Sequence, residues 1–358
     1  MGSMKSTNFF KDKPTFGFDL GYDNLKVMQV VARGQKSYIQ GYGTTNFSSD
    51  AMKDGVIIDP ETIARATHEL FSKHMVGDIT TRRVIMSVPA SRTFTRAMRL
   101  PTIKNKDFAD AVSLEAEQYI PVPVEDLYLD YTVIYSDEKE TELLAVAVPK
   151  KIVDSYMRLA SLLGLEVIGI ETAIGASSRI FVNSERNDVP TVLIDFGTVS
   201  SDITIYDNAL IVTGTVLGGG ESFTELIAKA LGMSHAEAST IKTKYGIGAS
   251  KKQKEISTAV MPILEQLIKE VRRMIRYYED RGTTKRKISQ VVTLGGGASM
   301  PGLSEFMTSN LRLPVRMCEP WHNLSFGKLQ PPNANEKSTY TTVAGLALIK
   351  PTEMFSHD

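Results

Sequence analysis

The chain has 358 residues, beyond the usual size of one compact domain, so two lobes or more are expected; 42% of them are hydrophobic and 23% charged, an ordinary globular composition. Its 41 basic and 41 acidic residues cancel, which argues against a general nucleic-acid binder and against attachment to a membrane through a broad cationic patch. Cys318 is the only cysteine, so an intrachain disulfide and a cysteine-based zinc site are excluded and a reducing, cytoplasmic setting is expected.

The five histidines (His68, His74, His235, His322, His357) show no metal-ligand spacing. No apolar run approaches the roughly 18 residues needed to span a bilayer, and no secretory leader is seen. Met1-Gly2-Ser3 before Met4 reads as a cloning remnant and is set aside.

In chain order, Thr15 to Leu20 and Lys26 to Ala32 read as strands about the turn Gly21-Tyr22-Asp23-Asn24, and Ser37 to Thr44 extends the meander. Pro60 opens a helix to about Met75, capped by Asp59, with Ile63, Leu70 and Phe71 at its apolar positions. Arg83 to Val88 and Thr93 to Leu100 are strands that end at prolines. Asn105 to Ile120 is helical and is stopped by Pro121 and Pro123. Strands Leu127 to Tyr135 and Leu143 to Val148 follow, then a helix from Ile152 to Leu163 closed by Gly164. Residues 84–165 thus read as β-β-α-β-β-α, a small α+β unit.

A strand over 166–171 and a helix over 172–183 lead to the polar stretch 183–188, a lobe boundary. Thr191 to Asp195, Ser201 to Tyr206 and Leu210 to Val216 form a second three-stranded meander. Helices over 221–231, 235–244 and 255–281 follow, the last with a stripe of Val260, Leu264, Leu267, Val271, Met274 and Tyr278. A strand over 288–294 and helices over 303–311 and 341–348 complete the chain.

Two segments repeat. Asp19-Leu-Gly21 and Asp195-Phe-Gly197 each end an apolar strand with an aspartate, a glycine two residues on, and a polar turn into the next strand. Glycine permits a tight turn and a close backbone approach, and successive turn amides suit an anion such as phosphate. Two facing aspartates suit a hydrated Mg²⁺. Either hairpin alone is as well read as an ordinary Asx turn; the duplication tips the balance. Gly218-Gly219-Gly220 leads into a helix whose N-terminal amides favour an anion, and Gly295-Gly296-Gly297 ends a strand and offers a flat slot for a base or sugar. No dinucleotide or P-loop motif is present.

These loops, in this order, resemble the actin-like ATPase superfamily, and within it the PilM family of type IV pilus assembly proteins, relatives of the division protein FtsA. The resemblance covers residues 14–350. Its specific signs are the helix end Glu115-Ala116 to Ile120-Pro121, Asp130-Tyr131, Ala145-Val146-Ala147 before Lys150, and Gly345-Leu346-Ala347-Leu348.

It implies an actin-like α/β fold, a duplicated ribonuclease H-like unit in two lobes with a small inserted α+β subdomain. The first lobe takes 14–83, the insertion 84–165, the return and linker 166–188, and the second lobe 189–350. It further implies ATP or ADP with Mg²⁺ and at most weak hydrolysis. Asp19, Gly21, Tyr22, Asp23, Asn24 and Lys26 match the first phosphate loop; Asp195, Gly197 and Thr198 match the second. Gly219, Gly220 and Thr224 match the loop at ribose and phosphates, Lys242 the lysine bordering adenosine, and Gly295, Gly296 and Gly297 the adenosine loop. Asp19 and Asp195 match the metal carboxylates. For Lys242 a solvated helix lysine is the competing reading. Tyr22 stands where the family carries Ser or Thr, and Ser239 where relatives carry Glu.

The resemblance implies a cytoplasmic scaffold recruited to the inner membrane by the N-terminal peptide of a PilN-like protein, with the pilus motor ATPases as further partners. It implies neither nucleic acid nor membrane insertion. The peptide's expected wall is the helix 105–120 with Tyr119 to Pro123. An FtsA-like membrane-bound filament former and a small-molecule kinase are the alternatives. The first needs an amphipathic C-terminal helix that Lys350 to Asp358 does not form, the second an acceptor pocket with a base. The basic clusters Lys251-Lys252 and Lys285-Arg286-Lys287 read as solvated surface. Met261, Met274, Met307 and Trp321 read as packing, and no G-x-S-x-G elbow supports a serine hydrolase.

Overall fold

The computed structural model describes residues 13–350 apart from 35, 102–107, 185–187, 282–285, 322 and 334–335. The meander β1 (Phe16–Leu20), β2 (Asn24–Arg33) and β3 (Lys36–Asn46) opens the chain, followed by the ribbon β4 (Met52–Lys53) and β5 (Val56–Ile57). Helix α1 (Pro60–Lys73) starts where the sequence predicts. The Asp59 carboxylate accepts the Thr62 amide at 3.0 Å, and Pro60 stands in the first turn, where no amide partner is needed. Ile63 and Leu70 are buried, but Phe71 lies one residue round from the buried stripe, is 39% exposed and meets Phe16 only edge-on at 6.4 Å.

Then come β6 (Met75–Gly77), β7 (Arg83–Val88), β8 (Phe94–Pro101), α2 (Phe108–Ala116), β9 (Leu127–Ser136), β10 (Glu140–Pro149), α3 (Lys150–Leu162), β11 (Glu166–Thr172) and α4 (Ala173–Ser184). The second half repeats the plan: a meander β12 (Thr191–Phe196), β13 (Ser200–Asp207) and β14 (Ala209–Leu217), then α5 (Gly220–Leu231), α6 (His235–Lys244) and α7 (Gln253–Arg281). It closes with β15 (Gln290–Leu294), α8 (Leu303–Leu311), β16 (Val315–Met317), β17 (Leu324–Ser325) and α9 (Thr341–Ala347). Residues 105–107 of the predicted helix 105–120, residues 185–187 of the predicted lobe boundary and Lys285 lie outside the described residues.

The sheets show the duplication directly. In the first, order β11-β7-β1-β2-β3-β17, an antiparallel meander carries β7 parallel to β1 and β11 parallel to β7. In the second, β15 runs parallel to β12 and β16 parallel to β15, in the same arrangement around β12–β13–β14. Strands β8, β10 and β9 extend this second sheet, joined to β14 at the pair Val212↔Arg96.

The pairings divide the segment 84–165. Strand β7 lies inside the first sheet, and α3 places Ile152, Tyr156 and Leu159 in the first lobe's core. The stretch from β8 to β10 has a core of its own, where α2 lays Phe108, Val112 and Ala116 on Met98, Leu143 and Ala145. Helix α7 buries its whole predicted stripe against the second sheet. Between the sheets, α4 and α9 share a core of Phe181, Val343 and Ala344 with Met28 from the first sheet and Leu193 from the second. Trp321 packs there on Phe326 and Tyr340, at 5.0 and 6.5 Å. Arg286, read as solvated, ion-pairs with Asp207.

Candidate functional site

The two repeated turns are built alike. The Gly21 amide donates to the Asn24 carbonyl at 2.8 Å, and the Gly197 amide to the Ser200 carbonyl at 2.9 Å. Each glycine thus closes a tight turn that leaves the preceding strand's aspartate at the sheet's end. In the first turn Asp23 accepts from the Asn24 amide nitrogen at 2.8 Å, Asn24 Oδ1 accepts from Lys26 Nζ at 2.5 Å, and Tyr22 is 45% exposed. Lys26 also reaches Asp19 Oδ2 at 3.4 Å, while the Ser87 hydroxyl donates to Asp19 Oδ1 at 2.7 Å. Asp19 and Lys26 face each other across β1–β2 and both are buried.

In the second lobe Asp195 Oδ2 accepts from the Ser177 hydroxyl of α4 at 2.6 Å. Burial pushes the Asp195 carboxyl up to about 6; the Ser177 bond opposes this, the Asp19 charge adds to it, and Lys26 opposes it. The aspartates of the two turns therefore lie within electrostatic reach of each other. Across β12–β13 the partner of Asp195 is Asp202, which accepts from Thr215 at 2.6 Å and is pushed up to about 7, by burial first and by the Asp195 charge. Beside Asp19, the fully buried Tyr156 hydroxyl has no hydrogen-bond partner among the described residues, and its pKa is raised by burial and by the Asp19 charge.

The glycine runs close on the second turn. Gly219 packs so tightly that a Cβ there would lie 2.4 Å from the Gly197 carbonyl oxygen. The Gly220 and Glu221 amides donate to the Gly197 and Thr198 carbonyls at 2.9 and 2.8 Å, so these first amides of α5, expected to face an anion, are taken by the turn itself. Gly295, at φ +77°, brings the chain beside Asp195: a Cβ there would fall 2.3 Å from Asp195 Oδ1, and one on Gly297 2.9 Å from Phe196 Cβ. The glycines at 295 and 297 thus answer to packing on the end of β12, and Gly296 stands against Thr339.

Lys242 is not a solvated helix lysine. Its Nζ donates to the Gly220 carbonyl and to the Thr224 hydroxyl, both at 2.7 Å, and burial lowers its pKa against the pull of Glu221. Asp19, Lys26, Asp195, Gly197, Gly219, Gly220, Thr224, Lys242 and Gly295 are thereby linked around the ends of β1 and β12. Such a cluster offers hard carboxylate oxygens for a cation and two ammonium groups for an anion. Two cavities, of about 720 and 400 Å³, lie elsewhere, between α7 and α8 and between β8 and β14. Ser87, Ser177 and Thr215 were missed from sequence because their bonds join residues 68, 18 and 13 apart. Asp202 carried a signal, since it stands seven residues after Asp195 as Lys26 does after Asp19.

Among proteins of known identity, the FtsA cell division protein of Bacillus subtilis (strain 168) is 24% identical over 345 residues, covering 84% of this chain and 78% of the relative. FtsA of Streptococcus pneumoniae is 21% identical over 344 residues, covering 85% and 75%. Of solved structures, a PilM–PilN type IV pilus biogenesis complex superposes with TM-score 0.81 at 20% identity, covering 94% of this chain and 98% of that one. MreB5 of Spiroplasma citri bound to ADP gives 0.56 at 13% identity over 96% and 98%. EutJ of Carboxydothermus hydrogenoformans gives 0.54 at 15% over 94% and 90%. These neighbours share one architecture, and the fold of this chain is actin-like. The sequence matches the family described as type IV pilus assembly protein PilM over residues 17–350, and the chain belongs to that family.

Proposed function

We propose that this chain binds ATP or ADP with Mg²⁺ between its lobes and serves as a scaffold of the pilus assembly machinery, held at the inner membrane by the N-terminal peptide of a PilN-like protein. The observation that carries the nucleotide reading is the convergence of Asp19, Lys26 and Asp195 at the paired turns, with Lys242 at the second. The donor set fits the group: Mg²⁺ keeps several waters and is commonly held by one or two carboxylates together with nucleotide phosphates. Asp19 and Asp195 would hold the hydrated cation. Lys26 and the turn at Gly197-Thr198 would meet the phosphates, and Lys242 with the loop at Gly296 would border ribose and base. When bound, the cation supplies charge neutralisation for the phosphates. Tyr22, 45% exposed, replaces the Ser or Thr usual in the family at that turn, which argues for little turnover. Calorimetry with ATP, with and without Mg²⁺, tests this reading.

No described helix is long and apolar enough to cross a membrane, and the solved complex among the similar structures is one of PilM with PilN. A peptide can lie over a sheet face through a few apolar anchors, main-chain bonds being open to it only at an unpaired strand edge. The wall expected from α2 fits poorly, because Phe108, Val112, Ala116 and Ile120 are spent on the insertion's own core. The opposite face of β8–β10–β9 turns towards α3: the Tyr128 hydroxyl bonds Asp154 at 3.1 Å, and Lys150 stands 5.7 Å over the Tyr128 ring. We place the peptide on that side, along half-buried Leu144, and bound the insertion at 94–149. Substituting Leu144→Glu should abolish calorimetric binding of a PilN N-terminal peptide while the protein stays folded. Retained binding would put the peptide elsewhere.

A further inference from the structure

The two carboxylates of the paired turns are steered by different kinds of element. Asp19 is held by Ser87 of β7, a strand of its own sheet. Asp195 is held by Ser177 of α4, a helix packed between the sheets, and Ser177 is fully buried. A serine hydroxyl has one proton, and the carboxylate is the stronger acceptor, so its remaining capacity is to accept. Thr342 Oγ1 of α9 lies 3.0 Å away to supply that bond.

This hydroxyl pair sits beside the tightest packing in the interlobe helices. A Cβ on Gly345 of α9 would fall 1.9 Å from the carbonyl oxygen of Ala176, the residue before Ser177. Arg179, one half-turn on, donates to the Gly345 carbonyl at 3.1 Å while held by Glu171 at 2.7 and 2.8 Å. Helix α9 also presses on β1, where a Cβ on Gly17 would lie 2.7 Å from the Val343 carbonyl. Helices this close cannot slide without shifting the residues between them. A change in the angle of α4 against α9 therefore moves Ser177, and with it the oxygen it holds.

We propose that Ser177 is a positioning residue for Asp195 and, through Thr342, ties that carboxylate to the α4–α9 crossing, so that cation binding at Asp195 and the packing of the interlobe helices form one equilibrium. This rests on the reading of Asp195 as a cation-facing carboxylate. Partners that orient a metal-facing group are worth about tenfold or more in metal affinity. On the Asp19 side the serine, Ser87, belongs to β7, and α9 meets β1 by packing at Gly17.

The test compares ATP affinity in EDTA and in Mg²⁺ by calorimetry, together with amide exchange of α4 and α9 with and without Mg²⁺–ATP. Ser177→Ala should leave affinity in EDTA within about twofold and lose about tenfold of the gain that Mg²⁺ provides. Thr342→Val should keep most of that gain but lose the slowing of α9 exchange on ligand binding. A Mg²⁺ gain unchanged in Ser177→Ala overturns the positioning role, and α9 slowing that persists in Thr342→Val overturns the link, which also stands as the test should Ser177→Ala not fold. Asp195→Asn separates the two readings. If it too leaves the Mg²⁺ gain intact, the cation assignment itself falls; if it abolishes the gain while Ser177→Ala does not, only the role of Ser177 falls.

Discussion

Asp195 stands directly across the β12–β13 ladder from Asp202, at the place where the first lobe sets Lys26 across from Asp19. One duplicated hairpin therefore holds an ion pair and the other two like charges. Burial is the first cause that pushes both up; the Asp19 charge adds to it for Asp195, which reaches about 6, and the facing Asp195 charge adds to it for Asp202, which reaches about 7. In the second lobe Lys242 is bonded instead to the Gly220 carbonyl and the Thr224 hydroxyl.

The sign of the pH dependence follows. Both carboxyls bind their proton more tightly when folded than at the ordinary value of 3.8, so their stabilising contribution is complete below that value and is lost as pH rises through about 6 and about 7. The charged neighbours of this pair are Asp19 and Lys26. Without divalent cation, stability should fall from pH 5 to pH 8, by at most about 1.4 kcal/mol per pH unit for each carboxyl. Asp202→Asn should flatten the profile relative to the parent. Urea melts at the two pH values measure it, and identical slopes in parent and variant would contradict the pairing.

Gly345→Ala should cost more than about 2 kcal/mol, because its methyl group would sit 1.9 Å from the Ala176 carbonyl oxygen, far inside van der Waals contact, and the two helices would have to part. Thermal unfolding checks this; a variant as stable as the parent would mean that the α4–α9 crossing relaxes freely.

Leu143→Ala, in the insertion's separate core, should cost about 2–4 kcal/mol there. Its effect should be local: peptide binding weakens while ATP affinity stays within about twofold of the parent. Equal loss of both would show that the insertion and the nucleotide cleft are one cooperative unit.

Local signals were readable where the physics is local. The start of α1 follows from the Asp59 cap and Pro60, and α6 from a capping box in which Ser234 and Glu237 bond each other's backbone. The buried stripe of α7 follows from its spacing. Strands β6, β16 and β17, of three, three and two residues, carry too little pattern and exist because longer strands pair with them. The unit read at 84–165 was divided for a related reason: only parallel pairing with β1 and β11 shows that β7 belongs to the first sheet. At the site the repeated aspartates and turns were legible. The serines that aim the aspartates were not, since nothing near Ser87 or Ser177 in sequence announces a carboxylate that packing delivers.

Lys242→Gln should weaken ATP binding about tenfold. It should also lower stability slightly, since the bonds to the Gly220 carbonyl and the Thr224 hydroxyl lose a charged donor. Affinity unchanged in a folded variant would return Lys242 to a purely structural role, tying α6 to the first turn of α5.

The most direct measurement is titration of the purified protein with ATP in the presence of Mg²⁺, for the parent, Asp19→Ala and Asp195→Ala. Saturable binding by the parent, lost or weakened at least tenfold in both variants while each still melts cooperatively, is the predicted result. Parental affinity in folded Asp195→Ala would contradict a nucleotide and cation held between the paired turns.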